Sequence, residues 1–257
     1  MMKYVLFDTE TTGNTELDRI IQVGALVIDS EKYEINEIEY AENIFDNIQE
    51  RKVLVFDELC SSEVKISFEA MEVHNITPEM LINKPKFSET KFSKMLNELN
   101  SNENYLIAHN IKFDLGMLEK EGFQNNFKLI DTYKCAKAIF PDFNHHRLQY
   151  LRYFLGLYKI EQEEAQKLGI IIKAHDAIGD VLVMKLLLDE LLKHKNYEEL
   201  HEITKAPLIS TKFSFGKYKG KSFDEVRAVD NGYLLWAMNN LDDEDLKYSI
   251  KKFLGLI

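Results

Sequence analysis

Near its start the chain reads Tyr4-Val5-Leu6-Phe7-Asp8-Thr9-Glu10-Thr11-Thr12-Gly13, where an apolar run leads directly into two carboxylates. Residues two apart on a β-strand point to the same face, so Asp8 and Glu10 are predicted to lie side by side at the end of a buried strand. Two anions so close to apolar surface are unfavourable unless a cation neutralises them. The segment therefore predicts a metal site, and its oxygen ligands favour Mg²⁺ or Mn²⁺ over Zn²⁺.

The composition is typical of a globular protein, with 45% hydrophobic and 29% charged residues. No apolar run reaches the length of about 20 residues that crosses a bilayer. The N-terminal residues become acidic too early for a secretory signal, so we expect a cytoplasmic protein. The only two cysteines, Cys60 and Cys135, lie far apart and are expected to be reduced, buried thiols.

The net charge of −11 argues against a nucleic-acid partner, because phosphate binding usually depends on a basic surface. The charge is unevenly distributed, however. Residues 206–257 hold 8 basic and 7 acidic side chains, whereas residues 1–205 carry a net charge of −12. Part of that acidity belongs to the predicted metal cluster, where bound cations would reverse the local field. The net charge therefore does not exclude nucleic acid.

Hydrophobic patterning predicts an α/β fold with a mixed central sheet. Strands are predicted at residues 3–7, 20–29, 33–41, 105–108 and 128–131. Helices are predicted at residues 67–74, 78–99, 113–122, 132–139, 147–155 and 176–194. No regular element is predicted over residues 42–67, which are expected to be irregular up to the start of the helix at 67.

A change of pattern between residues 195 and 211 predicts two domains, 1–205 and 206–257. The second is expected to be a small α+β unit. It has glycine-punctuated turns with four lysines at 212–221, a capping box that starts at Ser222, and a helix over 233–239 that contains Trp236.

Two further segments supply acidic residues and a histidine. A buried strand at 105–108 leads through a loop to Asp114, at the start of a helix. Farther along, His175 precedes a helix and Asp180 lies one to two turns inside it. Four carboxylates and a histidine suit two-metal phosphoryl chemistry, with Asp8 as the bridging ligand and two cations about 4 Å apart. A histidine can take the proton from the attacking water.

These segments resemble the three motifs of the DEDDh (DnaQ-like) 3′→5′ exonucleases, which have an RNase H-like fold. Asp8 and Glu10 match the first motif, Asp114 the second, and His175 with Asp180 the third, H-x-x-x-x-D. The resemblance covers roughly residues 1–195. It implies hydrolysis of nucleic acid with a free 3′ end, expected to be DNA, to nucleoside 5′-monophosphates. It also implies two divalent cations, Mg²⁺ or Mn²⁺, and a general base at His175.

Two supporting signatures of the family match residues 69–77 and Asp131-Thr132. The family usually has glycine where this chain has Asn75, a residue type that tolerates positive φ. The resemblance further implies that residues after the first motif hold the 3′-terminal nucleotide. The candidate substrate contacts are Thr11, Thr12, Gly13, His74, Asn110 and Phe113.

Residues 215–221 and 233–236 are similar to the C-terminal segment of exodeoxyribonuclease X-type proteins, which favours a single-chain DNA exonuclease. The lysines and aromatic residues at 212–221 have two open interpretations, a solvated hairpin or a surface that binds a nucleic-acid strand.

Three alternatives remain open at the level of sequence. A proofreading subunit of a replicative polymerase would be expected to have a flexible tail, whereas residues 206–257 have the pattern of a globular unit. An RNase of the same superfamily would use the same catalytic residues, because the chemistry attacks the phosphodiester. An inactive nucleic-acid-binding scaffold is disfavoured by the complete set of catalytic residues.

Overall fold

A computed structural model describes residues 2–29, 53–172, 176–213, 215–241 and 243–257. The chain divides into two compact units, Met1–His201 and Glu202–Ile257. The strand predicted at 33–41 and the predicted base His175 lie outside the described residues.

The first unit contains a mixed sheet, as predicted. In the described residues its strands are β1 (Lys3–Thr11), β2 (Ile20–Asp29), β3 (Val53–Leu59), β4 (Tyr105–Ala108) and β5 (Lys128–Asp131). Their order is β3-β2-β1-β4-β5, with β2 antiparallel to both β1 and β3, and β4 parallel to both β1 and β5. The irregular structure expected over 42–67 is wrong at β3, where four buried apolar residues, 53–56, pair with β2 before acidic residues follow.

The helices of the described residues are α1 (Phe68–His74), α2 (Lys91–Glu98), α3 (Ile111–Lys120), α4 (Thr132–Ile139), α5 (Leu148–Phe154), α6 (Glu161–Leu168), α7 (Ala177–Leu192), α8 (Tyr197–Lys205), α9 (Phe223–Asn240) and α10 (Glu244–Phe253). The continuous helix predicted over 78–99 is wrong in its first half, which has only short 3₁₀ turns at Pro78–Leu81 and Phe87–Glu89. Asn83, with φ of 60°, and Pro85 interrupt any helix between those turns.

The two faces of β1 have different roles. Val5 and Phe7 belong to a hydrophobic core that includes Phe92 of α2 and Met117 of α3. Because side chains alternate along a strand, Asp8 lies on the opposite face. Helix α7, which is almost entirely buried, packs along β1 and β2. Apolar residues on all sides of α7 explain why this helix lies inside the unit.

The second unit has its own small core, which includes Phe213, Phe223, Leu234 and Ile250. The predicted capping box at Ser222 is present at the start of α9. Helix α9 bends at Asp230, where φ is −156° and ψ is 70°.

No helix of the described residues is long and apolar enough to cross a bilayer.

Candidate active site

Asp8 and Glu10 lie on one face of β1, opposite Gly24 and Gln22 of β2. The register between the strands shifts immediately after Glu10, so the regular pairing ends where the carboxylates end. A buried strand that stops at this point presents two acidic side chains at the edge of the apolar core.

Gly24 sets the approach of α7 to this edge. A Cβ atom at Gly24 would lie 2.3 Å from the backbone nitrogen of Ile178, so only glycine allows the helix to pass so close. Asp180 lies in the first turn of the same helix. The close contact therefore brings the Asp180 carboxylate to the face of the sheet that carries Asp8.

Asp114 comes from the first turn of α3 and is 3% exposed. Its Oδ1 accepts hydrogen bonds from the Thr9 hydroxyl, at 2.7 Å, and from the Thr9 backbone N–H, at 3.2 Å. The loop before α3 is fixed by Asp131, whose carboxylate accepts a hydrogen bond from the Asn110 backbone N–H at 3.0 Å. Asn110 itself has a left-handed backbone conformation with φ of 70°. Thr9 thus ties the second motif directly to β1.

The acidic side chains act on one another electrostatically. Burial, and then the charges of Asp114, Asp180 and Glu10, raise the pKa of Asp8 well above its usual range. Burial, and then the charges of Asp180 and Asp114, raise the pKa of Glu10 to about 8. Burial raises the pKa of Asp114 to about 7 even though the bonds from Thr9 oppose this. Burial and mutual repulsion therefore both disfavour the charged form of these groups.

Asp180 is held by a residue that the sequence did not point to. The Gln149 side chain of α5 donates a hydrogen bond from Nε2 to Asp180 Oδ1 at 2.6 Å. Arg152 donates to Gln149 Oε1 at 3.3 Å and forms a two-bond ion pair with Glu161 of α6. A glutamine one residue into a short amphipathic helix has no pattern that would mark it as part of a site.

The donor set fits a divalent cation by its chemistry. All four acidic groups offer oxygen ligands, and a cation would relieve their repulsion. In the described part of the chain, no three histidine, cysteine, aspartate or glutamate side chains stand in a group that could hold a metal ion. Mg²⁺ is usually bound by one or two carboxylates together with waters and substrate phosphates, so three such side chains in one group are not required. These residues thus fit a divalent cation in the type of their donor atoms and in their charge.

A cavity of about 260 Å³ opens beside Glu10. Four of the predicted substrate contacts line it, namely Thr11, Gly13, His74 and Phe113. Val73 and Phe113 are 50% and 38% exposed, so the cavity offers apolar surface next to the carboxylates. Asn110 is exposed in the loop before α3, and Thr12 is fully buried.

Asp18 holds the loop that follows β1, and sequence reasoning missed it. Its carboxylate accepts hydrogen bonds from the Thr12 hydroxyl at 2.6 Å and from the Thr15 backbone N–H at 2.7 Å. A Cβ atom at Gly13 would lie 2.8 Å from Asp18 Oδ2, so a larger residue there would displace the Asp18 carboxylate. The Thr12 side chain therefore supports the loop and does not line the cavity.

His74 braces the same loop from α1. The Ile76 backbone N–H donates to His74 Nδ1 at 3.0 Å, which makes Nδ1 the acceptor and assigns the proton to Nε2. Nε2 then donates to the Thr11 carbonyl at 3.2 Å. Burial lowers the pKa of His74, consistent with a neutral ring. The next residue, Asn75, has φ of 60° at the end of α1, in agreement with the turn inferred there.

Comparison with known proteins shows what the chain is related to. A family model described as Exonuclease matches residues 5–188, and one described as Exodeoxyribonuclease X-like C-terminal matches residues 213–242. Exodeoxyribonuclease 10 of Escherichia coli (strain K12) is 30% identical over 194 residues, which cover 74% of this chain and 80% of that protein. DNA polymerase III subunit epsilon of Treponema pallidum (strain Nichols) is 29% identical over 215 residues, which cover 79% and 82%.

The solved structures include Exonuclease X in complex with 5′ overhanging duplex DNA, which matches with a TM-score of 0.52 and 19% identity. The match covers 78% of this chain and 99% of that one, and it supports the RNase H-like fold. Exonucleases of this family generally use divalent metal ions. The chain therefore belongs to the DnaQ-like (DEDDh) exonuclease family, in its exodeoxyribonuclease X-like subgroup, and is a 3′→5′ exonuclease.

Proposed function

We propose that this enzyme hydrolyses DNA from a free 3′ end to nucleoside 5′-monophosphates. Asp8, Glu10, Asp114 and Asp180 would hold two divalent cations, Mg²⁺ or Mn²⁺. The observation that carries the proposal is the meeting of four repelling carboxylates from β1, α3 and α7. Cations bound there would supply electrostatic stabilisation to the attacking and leaving oxygens of the phosphodiester.

The remaining chemistry is assigned to the protein's own side chains. His175, five residues before Asp180, is the proposed general base that takes a proton from the attacking water. The water oxygen bonds to phosphorus as the bond from phosphorus to the 3′ oxygen of the preceding nucleotide breaks. That oxygen leaves with the bonding electrons and takes a proton from solvent water to become the new 3′ hydroxyl, while the terminal nucleotide departs with the phosphate on its 5′ oxygen. Thr9 and Gln149 hold the carboxylates of Asp114 and Asp180 in position for this step.

The cavity beside Glu10 is the proposed site for the 3′-terminal nucleotide. Thr11 and Gly13 offer polar contacts there, His74 supports the backbone of Thr11, and the exposed Phe113 ring offers a face on which a base can stack. Backbone contacts from Thr12 and Asn110 stay predictions. This arrangement accounts for a requirement for a chain end, since the terminal nucleotide enters a cavity beside the carboxylates.

DNA is favoured as the substrate because the C-terminal match is to exodeoxyribonuclease X and a related exonuclease structure contains duplex DNA. A proofreading role is the second candidate, supported by the similarity to a DNA polymerase III subunit epsilon. The match over residues 213–242 favours the exodeoxyribonuclease X type over it. The cytoplasmic location expected from the sequence stays a prediction.

The substrate class is tested with oligonucleotides labelled at either end. Single-stranded DNA, duplex DNA and RNA of one sequence are each incubated with the protein and Mg²⁺, beside a closed single-stranded circle. We expect 5′-labelled DNA to shorten stepwise from its 3′ end, faster than RNA, with the circle left intact. Faster digestion of RNA would overturn the DNA assignment, and cleavage of the circle would overturn the requirement for a free end.

A further inference from the structure

A basic turn stands out in the second unit. Residues 211–221 contain four lysines and no acidic residue, in a chain whose net charge is −11. The turn is closed by hydrogen bonds from the Phe213 N–H to the Lys221 carbonyl, at 2.9 Å, and from the Gly220 N–H to the Phe213 carbonyl, at 2.7 Å. Lys212, Lys217, Lys219 and Lys221 are all exposed. The turn therefore forms a solvent-exposed basic surface.

A row of aromatic rings lies against this turn. Tyr218 packs edge-to-face on Tyr233, with ring centroids 4.8 Å apart, and the Tyr233 and Trp236 rings lie 5.3 Å apart. Lys217 Nζ lies 4.8 Å from the Tyr218 centroid and 5.9 Å from that of Tyr233. Trp236 is 49% exposed. We call Lys217, Tyr218, Tyr233 and Trp236 the lysine–aromatic patch.

The core of the unit does not account for the outer part of this patch. Phe213 and Phe223 fill the core and are 1% and 2% exposed. Half of Trp236, in contrast, remains in water, which is unfavourable for the largest apolar side chain of the unit. Trp236 packs against a tyrosine that a lysine also contacts, so this indole is suited to a ligand with a flat ring and a negative charge.

Asp230 holds three residues of the patch in place through hydrogen bonds to its carboxylate. Its carboxylate accepts hydrogen bonds from Lys217 Nζ at 3.0 Å, from the Tyr218 hydroxyl at 2.9 Å and from the Tyr233 N–H at 3.2 Å. The last of these bonds caps the second half of α9, at the bend. Lys212 and Lys219 form no ion pair with any carboxylate that the structure describes. These two lysines therefore offer positive charge that no described carboxylate of the unit neutralises.

We propose that the lysine–aromatic patch binds an unpaired strand of nucleic acid, with one base stacked on Trp236 and phosphates held by the lysines of 212–221. Stacking on an aromatic ring and a lysine-lined backbone path are the two elements of sequence-tolerant strand binding. The positive charge that would attract phosphates is concentrated in these lysines, because residues 1–205 carry a net charge of −12. The proposal rests on the function proposed above and adds a second contact for the same substrate.

The first test uses the fact that Trp236 is the only tryptophan of the chain, so its fluorescence reports on the patch alone. The full-length protein is titrated in EDTA with a single-stranded oligonucleotide of about 20 nucleotides carrying a dye for anisotropy. We expect tryptophan fluorescence to be quenched in parallel with the rise in anisotropy. Unchanged fluorescence at full occupancy would overturn the proposal.

Matched variants give a second readout. Trp236→Phe is expected to weaken oligonucleotide affinity roughly tenfold, in line with the loss of one stacked base. The double change Lys212→Gln and Lys219→Gln is expected to lower the slope of log affinity against log salt by about 1.4, or roughly 0.7 for each phosphate that is no longer neutralised. Lys251→Gln with Lys252→Gln, on exposed lysines of α10, is the control and should leave affinity and slope unchanged. Equal effects of the two lysine pairs would contradict a specific patch.

A small substrate separates this proposal from the catalytic one. The p-nitrophenyl ester of thymidine 5′-monophosphate reports on the catalytic centre and carries no further nucleotide that could occupy the patch. Trp236→Phe should hydrolyse this ester at the rate of the unchanged protein and digest long strands less efficiently at low concentration. If DNA quenches the tryptophan fluorescence of the unchanged protein but neither the ester nor the long strand is hydrolysed, the proposed function is wrong and the proposed patch is retained. If the ester is hydrolysed and no quenching occurs, the patch alone fails.

Discussion

Gly24 of β2 lies directly against the backbone of Ile178 in α7, so closely that a methyl group at Gly24 would come within 2.3 Å of the Ile178 nitrogen. Gly24 is also the residue that pairs with Asp8 on β1. The helix therefore passes close to the sheet beside the first carboxylate, two residues before Asp180. The absence of a side chain at Gly24 therefore allows the segments that carry Asp8 and Asp180 to approach each other.

Gly24→Ala should destabilise the protein and reduce activity together, because α7 must shift away from the sheet. We expect the free energy of unfolding to fall by about 1–3 kcal/mol, the usual cost of overpacking, in urea denaturation. Gly116→Ala in α3 is the matched control, since a Cβ there meets nothing within 4 Å. That change should be neutral or stabilising by about 0.5–1 kcal/mol. A Gly24→Ala protein as stable and active as the original would contradict this account of the helix contact.

Gln149→Leu tests the hydrogen bond that holds Asp180. The change roughly keeps the size of the side chain and removes the donor, so Asp180 loses one of the interactions that orient it. A displacement of a catalytic group by about 1 Å can cost roughly 10²-fold in rate, so we expect kcat to fall by about tenfold or more. The Mg²⁺ concentration for half-maximal rate should rise as well. Gln162→Leu, at an exposed position of α6, is the control. Equal kcat values for the two variants would show that Gln149 has no positioning role.

The repulsion among the carboxylates predicts a pH dependence of stability in the metal-free protein. The pKa of Glu10 is about 8 in the folded protein and near 4.3 in an unfolded chain, so the folded state holds more protons between these values. Stability in EDTA should therefore fall as the pH rises from about 4 to about 8. Glu10→Gln should raise Tm at pH 8 in EDTA and abolish most of the gain that Mg²⁺ gives the unchanged protein.

The control for this experiment is Glu98→Gln, at an exposed position of α2, which should leave the profile unchanged. Tm is measured by differential scanning calorimetry across the pH range, with and without Mg²⁺. If Tm in EDTA rose steadily from pH 5 to pH 8, the carboxylates would not be repelling one another.

His175→Ala tests the proposed general base. Loss of a positioned base usually costs 10²–10⁴-fold in rate, so kcat should fall by about that factor while Tm and its rise with Mg²⁺ are retained. His145→Ala, in the loop before α5, is the control histidine and should keep its rate. A His175→Ala enzyme with more than half the original kcat would exclude His175 as the base.

The sequence predicted the parts of the site that depend on local pattern. Alternation along β1 correctly put Asp8 and Glu10 on the same face, and the buried strand β4 was correctly followed by Asp114 in the first turn of a helix. The capping box at Ser222 was also confirmed, because its spacing is a local property.

The parts that failed depend on contacts between distant residues. β3 is recognisable only by its pairing with β2, since 53–56 is a short apolar run with acidic residues after it. Gln149 and Asp18 carry no motif, and their roles arise from where α5 and the loop after β1 meet other elements. The bend at Asp230 likewise results from a side chain that caps the second half of α9.

The most direct test of the central claim follows mononucleotide release from a 3′ end as Mg²⁺ is returned to protein stripped with EDTA. We expect no release without metal, full recovery of nucleoside 5′-monophosphates with Mg²⁺, and no recovery in Asp8→Asn or Asp180→Asn proteins that remain folded. Release at the full rate in EDTA, or by the two variants, would contradict a metal-dependent exonuclease built on these carboxylates.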